Sequence, residues 1–278
     1  MAAEQRASLA SAHKKQAGFT FFSNRTLQYD YFNEQLGNPD WTGKSILDFG
    51  GNIGGFLVGA PSTVRPENYW CVDLHRPALE RGRAALPGAN FVFYNRYHNL
   101  YNPSGIVDLP VPELGGKFDI IIAFSVFTHT SVREMQELLA QLQALVKRGG
   151  LLAFTFEDPD YDPMKDPHYN VSVADSEVEW GSNLRHRLLR EKPNYPGIDV
   201  EKFILRAVGA RWCALVGDRF YADPDDASPV EQEPGAYYHQ FHTTAFLRKL
   251  FREAEIYRPP SPLRQHCCVL RGQPGLQV

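Results

Sequence analysis

The sequence predicts an α/β fold built on a largely parallel sheet of seven strands. Three observations favour it. Short apolar runs alternate with helical stretches from Ser45 onward, a glycine-rich turn follows the first run, and hydrophobic residues make up 43% of the 278 residues. The alternation is typical of βαβ units, in which a helix connects two parallel strands. A chain of this length and hydrophobic content can bury the core of one large domain.

The apolar runs predict the strands, and the periodic stretches between them predict the helices. We predict strands over residues 45–49, 69–73, 90–94, 118–124, 151–156, 255–257 and 266–270. After the second strand, Pro77 lies where the first turn of a helix through about residue 86 would begin, a position that tolerates the missing N–H of proline. A last helix is predicted over 244–251.

The clearest predicted helix follows the fourth strand. Ser131 and Glu134 have the spacing of a capping box at its start. Apolar residues recur on one face of this helix at Val132, Met135, Leu138, Leu139, Leu142 and Val146. Gly149 and Gly150 are expected to end the helix before the fifth strand begins.

Two segments fall outside the alternation of strands and helices. Residues 1–44 are predicted to form an N-terminal cap segment with helical character, and its second half is crowded with aromatic residues. Residues 158–238 form an insertion after the fifth strand that is too long for a plain connection. It contains helical stretches near 178–190 and 199–208. We therefore expect a cap segment followed by one domain, 45–278, that carries the insertion.

Charge and cysteine content narrow the classes of function. The formal net charge of −3 and a pI near 6.3 do not provide the field that attracts a phosphate backbone, so a nucleic-acid partner is not expected. A basic stretch at 185–192 is typical of a solvated helix face. The four cysteines lack metal-site spacing and are predicted to be reduced core residues. Without a signal-peptide pattern or a membrane-spanning apolar run, the expected location is the cytoplasm.

The turn after the first strand carries the first indication of a ligand site. Gly50, Gly51 and Gly54 remove side chains there, which lets the backbone approach a ligand closely. The dinucleotide fingerprint GxGxxG does not fit, because a motif that starts at Gly50 would need its second glycine at position 52, where the sequence has Asn52. Asparagine is among the non-glycine residues that best tolerate a positive φ, so the tight turn can still form.

Acidic residues at the ends of the first two strands favour an adenosine ligand with a cationic end. Asp73 follows Asp48 by about 25 residues and ends the second strand. A carboxylate there can accept hydrogen bonds from both vicinal ribose hydroxyls; the alternative is a helix cap before Pro77. Asp48 would repel a pyrophosphate but can meet the positively charged amino-acid end of S-adenosylmethionine, directly or through water.

The run Asp48-Phe49-Gly50-Gly51-Asn52-Ile53-Gly54 resembles motif I of class I S-adenosylmethionine-dependent methyltransferases, D/E-x-G-x-G-x-G, with Asn52 replacing the central glycine. The runs at 118–125 and 149–154 resemble the family's fourth strand and glycine-led fifth strand. The resemblance covers about 45–156 and returns weakly near the C-terminus. It implies a doubly wound sheet with helices on both faces and the last strand antiparallel, between strands five and six. It also implies S-adenosylmethionine as cofactor, over the carboxyl ends of strands one, two and four.

The resemblance implies a set of cofactor-binding residues around these strand ends. They are Asp48, Gly50, Gly51, Asn52, Gly54, Asp73, Leu74, Asn95, Arg96, Phe124 and Ser125. Asn95 stands where the family usually has an acid beside the adenine. An asparagine there can still hydrogen-bond the exocyclic amine of the base.

Histidines supply the candidate catalytic groups, because the pKa of histidine suits a general base at neutral pH. His129 follows the fourth strand, and His239 and His242 follow the insertion. The alternative for His129 is a structural one, capping the helix or tying down a loop. The acidic run at 157–162, with Asp166 and His168 beyond it, offers oxygen ligands for a divalent cation. Acidic, proline-rich loops are usually solvated turns, so no metal site is predicted.

The predicted function is methyl transfer from S-adenosylmethionine to a hydroxyl, or alternatively an amine, of a small molecule held under the insertion. The aromatic residues of the insertion favour a partly apolar acceptor, as in natural-product biosynthesis. Two alternatives remain open at this point: a nucleotide-sugar or RNA methyltransferase, and a non-catalytic cofactor-binding module. The insertion is expected to be a substrate lid; its alternative is an oligomerisation arm, which would make a homodimer.

Overall fold

The structure, a computed structural model, describes residues 28–98, 101–158, 211–215, 238–259 and 265–272. Nine strands lie within these ranges. The strands are β1 (Ile46–Phe49), β2 (Tyr69–Asp73), β3 (Asn90–Phe93), β4 (Phe118–Ala123), β5 (Val146–Phe156), β6 (Arg211–Leu215), β7 (Tyr238–His242), β8 (Glu255–Tyr257) and β9 (His266–Arg271). Seven of them form one sheet in the order β3-β2-β1-β4-β5-β9-β8, while β6 and β7 form a separate two-stranded sheet.

The helices of the described residues connect these strands. They are α1 (Gln28–Gln35), α2 (Gly55–Gly59), α3 (Arg76–Ala85), α4 (Val132–Ala144) and α5 (Thr244–Leu250), with a 3-10 turn at Pro66–Asn68. Proline in the first turn of α3 is the arrangement predicted for Pro77. The predicted helix over 244–251 is confirmed to within one residue. None of the helices in these ranges is long and apolar enough to cross a membrane.

The seven-stranded sheet has the predicted topology. β1 lies between β2 and β4 and runs parallel to both, and β3 and β5 extend the parallel part on either side. β9 lies between β5 and β8 and pairs with β8 in the antiparallel sense. The doubly wound fold class with an antiparallel end is therefore confirmed. Because parallel strands share a direction, the carboxyl ends of β1, β2 and β4 lie at one edge of the sheet.

The boundary between α4 and β5 differs from the prediction. The helix ends at Ala144 and the strand begins at Val146, so the expected helix end at Gly149 and Gly150 is wrong. Val146 pairs with Phe118 of β4, and this ladder contact takes the residue into the sheet. Gly149, with φ of 74°, lies within the strand, where the register between β4 and β5 shifts. The other helical apolar positions that were predicted are buried.

The chain divides into two compact units. The first contains residues 1–126, 137–154 and 270–278, and the second contains 127–136 and 155–269.

Asp119 connects neighbouring strands in the first unit, near the start of β1 and of β4. Its Oδ2 accepts hydrogen bonds from Ser45 N (2.9 Å), Ser45 Oγ (2.7 Å) and Lys147 Nζ (2.8 Å). Burial opposes ionisation, but Lys147 and Ser45 outweigh it and lower the pKa of Asp119 to about 2.

The predicted capping box is present in the second unit. Glu134 N donates to Ser131 Oγ at 3.1 Å, and Ser131 N donates to Glu134 Oε2 at 3.2 Å. Both side chains are buried. The reciprocal pair satisfies two backbone N–H groups that have no partner within the helix.

The second unit also contains the two ends of the insertion. β6 and β7 pair antiparallel, from Arg211 opposite His242 to Leu215 opposite Tyr238. His242 N donates to Glu157 O at 3.0 Å, and Asp158 Oδ2 accepts from Thr244 N (2.9 Å) and Thr244 Oγ1 (2.7 Å). We call Glu157, Asp158, His242 and Thr244 the insertion base. The insertion therefore leaves and re-enters the fold at a single hydrogen-bonded point. Its predicted helices over 178–190 and 199–208 lie outside the described residues.

Candidate cofactor site

The turn from β1 into α2 is held by backbone hydrogen bonds and left-handed conformations. Gly50 N donates to Val72 O at 2.7 Å, and Gly54 N donates to Gly51 O at 2.9 Å. Asn52 has a φ of 56°, as its tolerance of positive φ predicted. Gly50 also has a positive φ (78°), and a Cβ on it would lie 2.3 Å from Val126 Cγ2. The turn after β1 therefore contacts the segment after β4, and a side chain at residue 50 would fill this contact.

Asp48 lies beneath this turn. Its side chain is 1% exposed, and its Oδ2 accepts a hydrogen bond from Tyr69 Oη at 2.5 Å. A Cβ on Gly51 would lie 2.6 Å from Asp48 Oδ2 and 2.8 Å from Cys71 Sγ, so the turn closes over the carboxylate only because residue 51 is glycine. Burial raises the pKa of Asp48 to about 7; the Tyr69 hydrogen bond opposes this and the charge of Asp73 adds to it. The carboxylate supports the turn from within the core.

Asp73 joins the turn after β1 to the start of α3. Its Oδ2 accepts from Asn52 N at 2.8 Å, and its Oδ1 accepts from His75 N at 2.7 Å, at the start of α3. The side chain is half-buried, as is that of Leu74 beside it. The two oxygens thus tie the turn after β1 and the start of α3 to the end of β2. The alternative of a helix cap does not describe this contact, because the N-cap residue of α3 is His75. The ribose contact stays a prediction.

Asn95 and Arg96 follow β3 and have different surroundings. The half-buried Asn95 accepts a hydrogen bond from Asn102 Nδ2 at its Oδ1 (3.1 Å). The Arg96 side chain is 4% exposed, and its Nη1 donates to Leu109 O (2.8 Å) and Glu137 Oε1 (3.1 Å). Burial alone would lower the pKa of Arg96, but the hydrogen bonds to Glu137 and Tyr94 raise it overall. The guanidinium anchors the loop after β3 to α4.

Phe124 and Ser125 directly follow β4, at its carboxyl end. Ser125 has a φ of 56°, which is uncommon for a residue other than glycine and recurs at ligand sites. The Phe124 ring contacts Tyr31 and Phe32 of α1 edge-on, at centroid distances of 5.3 and 6.1 Å. α1 therefore lies beside the carboxyl end of β4. Sequence reasoning missed this contact, and the aromatic crowding of residues 19–41 was the available signal.

The residue types at this edge fit an adenosine ligand with an amino-acid end. A glycine turn gives close backbone approach, a half-buried carboxylate ends β2, and an amide side chain follows β3. Residues 47–152 match the model of a family described as methyltransferase domain. This segment is accordingly similar to a methyltransferase domain.

A solved methyltransferase structure has a similar fold. A glycopeptide N-methyltransferase in complex with S-adenosylmethionine superposes with a TM-score of 0.50 at 10% sequence identity, over 90% of this chain and 87% of that chain. An S-adenosylmethionine-dependent methyltransferase from Clostridium acetobutylicum gives a TM-score of 0.48 at 10% identity, over 95% of this chain and 98% of that chain. At such low identity the likeness is one of fold.

The three candidate catalytic histidines have different environments. His129 is half-buried in the turn before the capping box of α4. His239 lies in β7 opposite Ala214, and its side chain lies outside the described residues. His242 is 0% exposed and its ring stacks on Phe246 at a centroid distance of 5.5 Å. Of the two described side chains, that of His129 is the more exposed.

The acidic run after β5 begins with a structural residue. Asp158 is part of the insertion base, where its carboxylate accepts from Thr244. Within the described ranges, no three side chains of histidine, cysteine, aspartate or glutamate are grouped as a metal site requires. Asp160, Asp162, Asp166 and His168 lie outside those ranges.

Proposed function

We propose that this protein transfers a methyl group from S-adenosylmethionine to a hydroxyl of a small molecule, with an amine as the second acceptor group to test. The choice of cofactor in this proposal is supported by the position of Asp73. Its half-buried carboxylate lies at the carboxyl end of β2 and accepts hydrogen bonds from Asn52 N and His75 N. Two fixed backbone donors hold its oxygens in place, which lowers the cost of ordering them when a ribose binds.

Each element at the site has a proposed task. Asp73 accepts hydrogen bonds from the ribose hydroxyls, and the glycine turn lets the backbone lie against the amino-acid end. Asp48 stabilises that turn from beneath instead of contacting the cofactor, because its carboxylate is 1% exposed. Arg96 acts as a positioning residue for the loop after β3, since its guanidinium is bound to Leu109 O and Glu137. Phe124 and Ser125 line the end of β4.

The chemistry asked of the protein is modest, because the sulfonium of the cofactor already carries a good leaving group. The protein aligns an acceptor lone pair with the methyl carbon and excludes water. For a hydroxyl acceptor a base removes the proton, and we assign this role to His129 on the basis of its exposure. The negative net charge of the chain supports a small-molecule acceptor over RNA.

Calorimetric titration tests the proposal. S-adenosylmethionine and S-adenosylhomocysteine are expected to bind the purified protein, while NAD is expected to show no measurable binding. A panel of hydroxylated and aminated small molecules is then incubated with S-adenosylmethionine, and products are detected by the mass of an added methyl group. Tight NAD binding would contradict the cofactor assignment. Cofactor binding without methylation of any acceptor would favour the non-catalytic module.

We also propose that residues 158–238 serve the acceptor and not the cofactor. The length of the insertion supports this, since long loops in compact domains are usually functional. The insertion base adds a second argument: Glu157 and Asp158 already meet His242 and Thr244, so the fold needs no connecting residues at this point.

Deleting Asp166–Pro229 and bridging the gap with a short Gly/Ser linker tests this assignment. The deletion removes β6 and retains the insertion base. Turnover of the natural acceptor is expected to be lost, while cofactor affinity changes by less than about tenfold, or roughly 1.4 kcal/mol. Retained turnover in a folded deletion variant would contradict the substrate-lid proposal. A change from dimer to monomer with activity intact would favour an oligomerisation arm.

A further inference from the structure

The glycine turn after β1, residues 50–54, covers a buried carboxyl group and a buried thiol. Asp48 is 1% exposed, and a Cβ on Gly51 would lie 2.6 Å from its Cγ and its Oδ2. The same Cβ would lie 2.8 Å from Cys71 Sγ, and this thiol donates to Asn52 O at 3.6 Å. The backbone of the turn therefore lies directly against both groups, and they are buried beneath it.

The surroundings of Asp48 suit a neutral carboxyl group better than an ionised one. Tyr69 Oη is the one hydrogen-bond donor to its side chain among the described residues. Cys71 and Asp73 are the other titratable side chains of β2, and the charge of Asp73 is negative. Ile122 faces Asp48 from β4, and α2 has no titratable side chain. Burial is the main cause that raises the pKa of Asp48 to about 7. Burial also raises the pKa of Tyr69 and of Cys71, so Asp48 is the group that changes charge near neutral pH.

Hydrogen bonds to β2 hold the glycine turn in place. Gly50 N donates to Val72 O at 2.7 Å, and Asn52 N donates to Asp73 Oδ2 at 2.8 Å. Asn52 also has a φ of 56°, a conformation that is uncommon for residues other than glycine. An ionised Asp48 would place a second negative charge beneath the turn, near Asp73. Moving the turn away lets water solvate this charge, so loss of the proton favours an open turn.

We propose that Asp48 and Tyr69 form a pH-dependent switch for the glycine turn, which is closed over the neutral carboxyl group and opens as this group releases its proton to water. In the closed form the carboxyl group keeps its proton up to a pH of about 7, whereas an exposed one releases it near 3.8. The open form therefore binds fewer protons. Its share increases with pH between about 4 and 7, by at most about tenfold per pH unit, and is constant above 7.

The switch acts on the proposed cofactor site, and this part of the inference rests on the proposed function. The closed turn is the form whose backbone would lie against the amino-acid end of the cofactor. A ligand that binds only the closed form shifts the equilibrium toward it. Bound cofactor is therefore expected to keep the turn closed and to protect the Cys71 thiol beneath it.

Alkylation of Cys71 measures the opening of the turn. The protein is treated with iodoacetamide at pH values from about 5 to 8, and labelling of each cysteine is followed by peptide mass spectrometry. The rate divided by that of glutathione at the same pH gives the opening constant, free of the effect of thiol ionisation. This constant is expected to rise up to about tenfold per pH unit below pH 7 and to level off above it. A constant equal to the unfolding constant from chemical denaturation would overturn the inference, because Cys71 would then be exposed only by unfolding.

Three substitutions test whether Asp48 is the group responsible. Asp48→Asn cannot ionise, so the opening constant is expected to be independent of pH. Asp119→Asn is the matched control and should keep the wild-type profile, because the pKa of Asp119 is lowered to about 2. Tyr69→Phe removes the hydrogen bond that favours the ionised carboxylate, and the profile is expected to level off at a higher pH. A wild-type profile in Asp48→Asn, or in Tyr69→Phe if the first variant does not fold, would overturn the inference.

S-adenosylhomocysteine separates this inference from the proposed function. At about ten times its Kd or more, it is expected to slow the labelling of Cys71 in the wild type at least about tenfold near pH 7. An opening constant that does not change with pH, with protection by S-adenosylhomocysteine intact, would overturn the switch alone. A pH-dependent opening without any protection would contradict the proposed cofactor site and support the switch.

Discussion

Replacing Asp73 with alanine is expected to weaken S-adenosylmethionine binding about 10- to 150-fold, or roughly 1.5–3 kcal/mol, the scale of lost hydrogen bonds to a charged group. The substitution removes the proposed acceptor for the ribose hydroxyls. It also releases Asn52 N and His75 N, the two backbone groups that now donate to the carboxylate. Calorimetric titration of the folded variant, with its thermal unfolding measured in parallel, gives the size of the effect.

Asp40 offers a matched control for this substitution. Its Oδ1 accepts from Thr42 N at 2.9 Å, two residues ahead, just as Asp73 Oδ1 accepts from His75 N at 2.7 Å. Asp40→Ala removes the same local turn contact away from the carboxyl ends of the strands, and cofactor affinity is expected to stay at the wild-type value. Equal affinity of Asp73→Ala and wild type would show that Asp73 only holds the backbone at Asn52 and His75.

The free energy of unfolding is expected to fall as the pH rises from about 4 to 7, and Asp48→Asn is expected to remove most of this fall. The folded protein holds the Asp48 proton up to a pH of about 7, whereas the unfolded chain releases it near 3.8. The folded state therefore binds more protons in this window, and stability decreases with pH. A raised pKa of this size corresponds to at most about 4 kcal/mol.

Chemical denaturation at pH 5 and pH 8 measures this difference. The quantity compared is the difference in the free energy of unfolding between the two pH values. A buried asparagine amide can change the free energy of unfolding by the same amount at both pH values, and the difference removes this contribution. Asp119→Asn is the control: the pKa of Asp119 is lowered to about 2, so its contribution does not change between pH 5 and 8. An identical pH dependence in Asp48→Asn and wild type would mean that Asp48 is ionised in the folded protein.

Local sequence determined the elements and the turn that links β1 to α2. Alternating apolar runs predicted the seven strands of the main sheet, and the spacing of Ser131 and Glu134 predicted the capping box that the structure contains. The positive φ of Asn52 follows from the short polar side chain that asparagine carries. These features depend on residues close together in the chain, and a single sequence displays them.

Contacts between distant residues decided what each site residue does. Asp48 and Arg96 remain predicted cofactor residues. In the structure Tyr69 and Gly51 enclose the carboxylate of Asp48, and Glu137 binds the guanidinium of Arg96. Asn102 likewise fixes the Asn95 amide. The sequence by itself determined that a glycine turn follows β1 and that the Asp73 carboxylate lies at the end of β2. Only the tertiary structure decided how each of these polar groups is buried and hydrogen-bonded, because burial and hydrogen-bond partners depend on residues far apart in the chain.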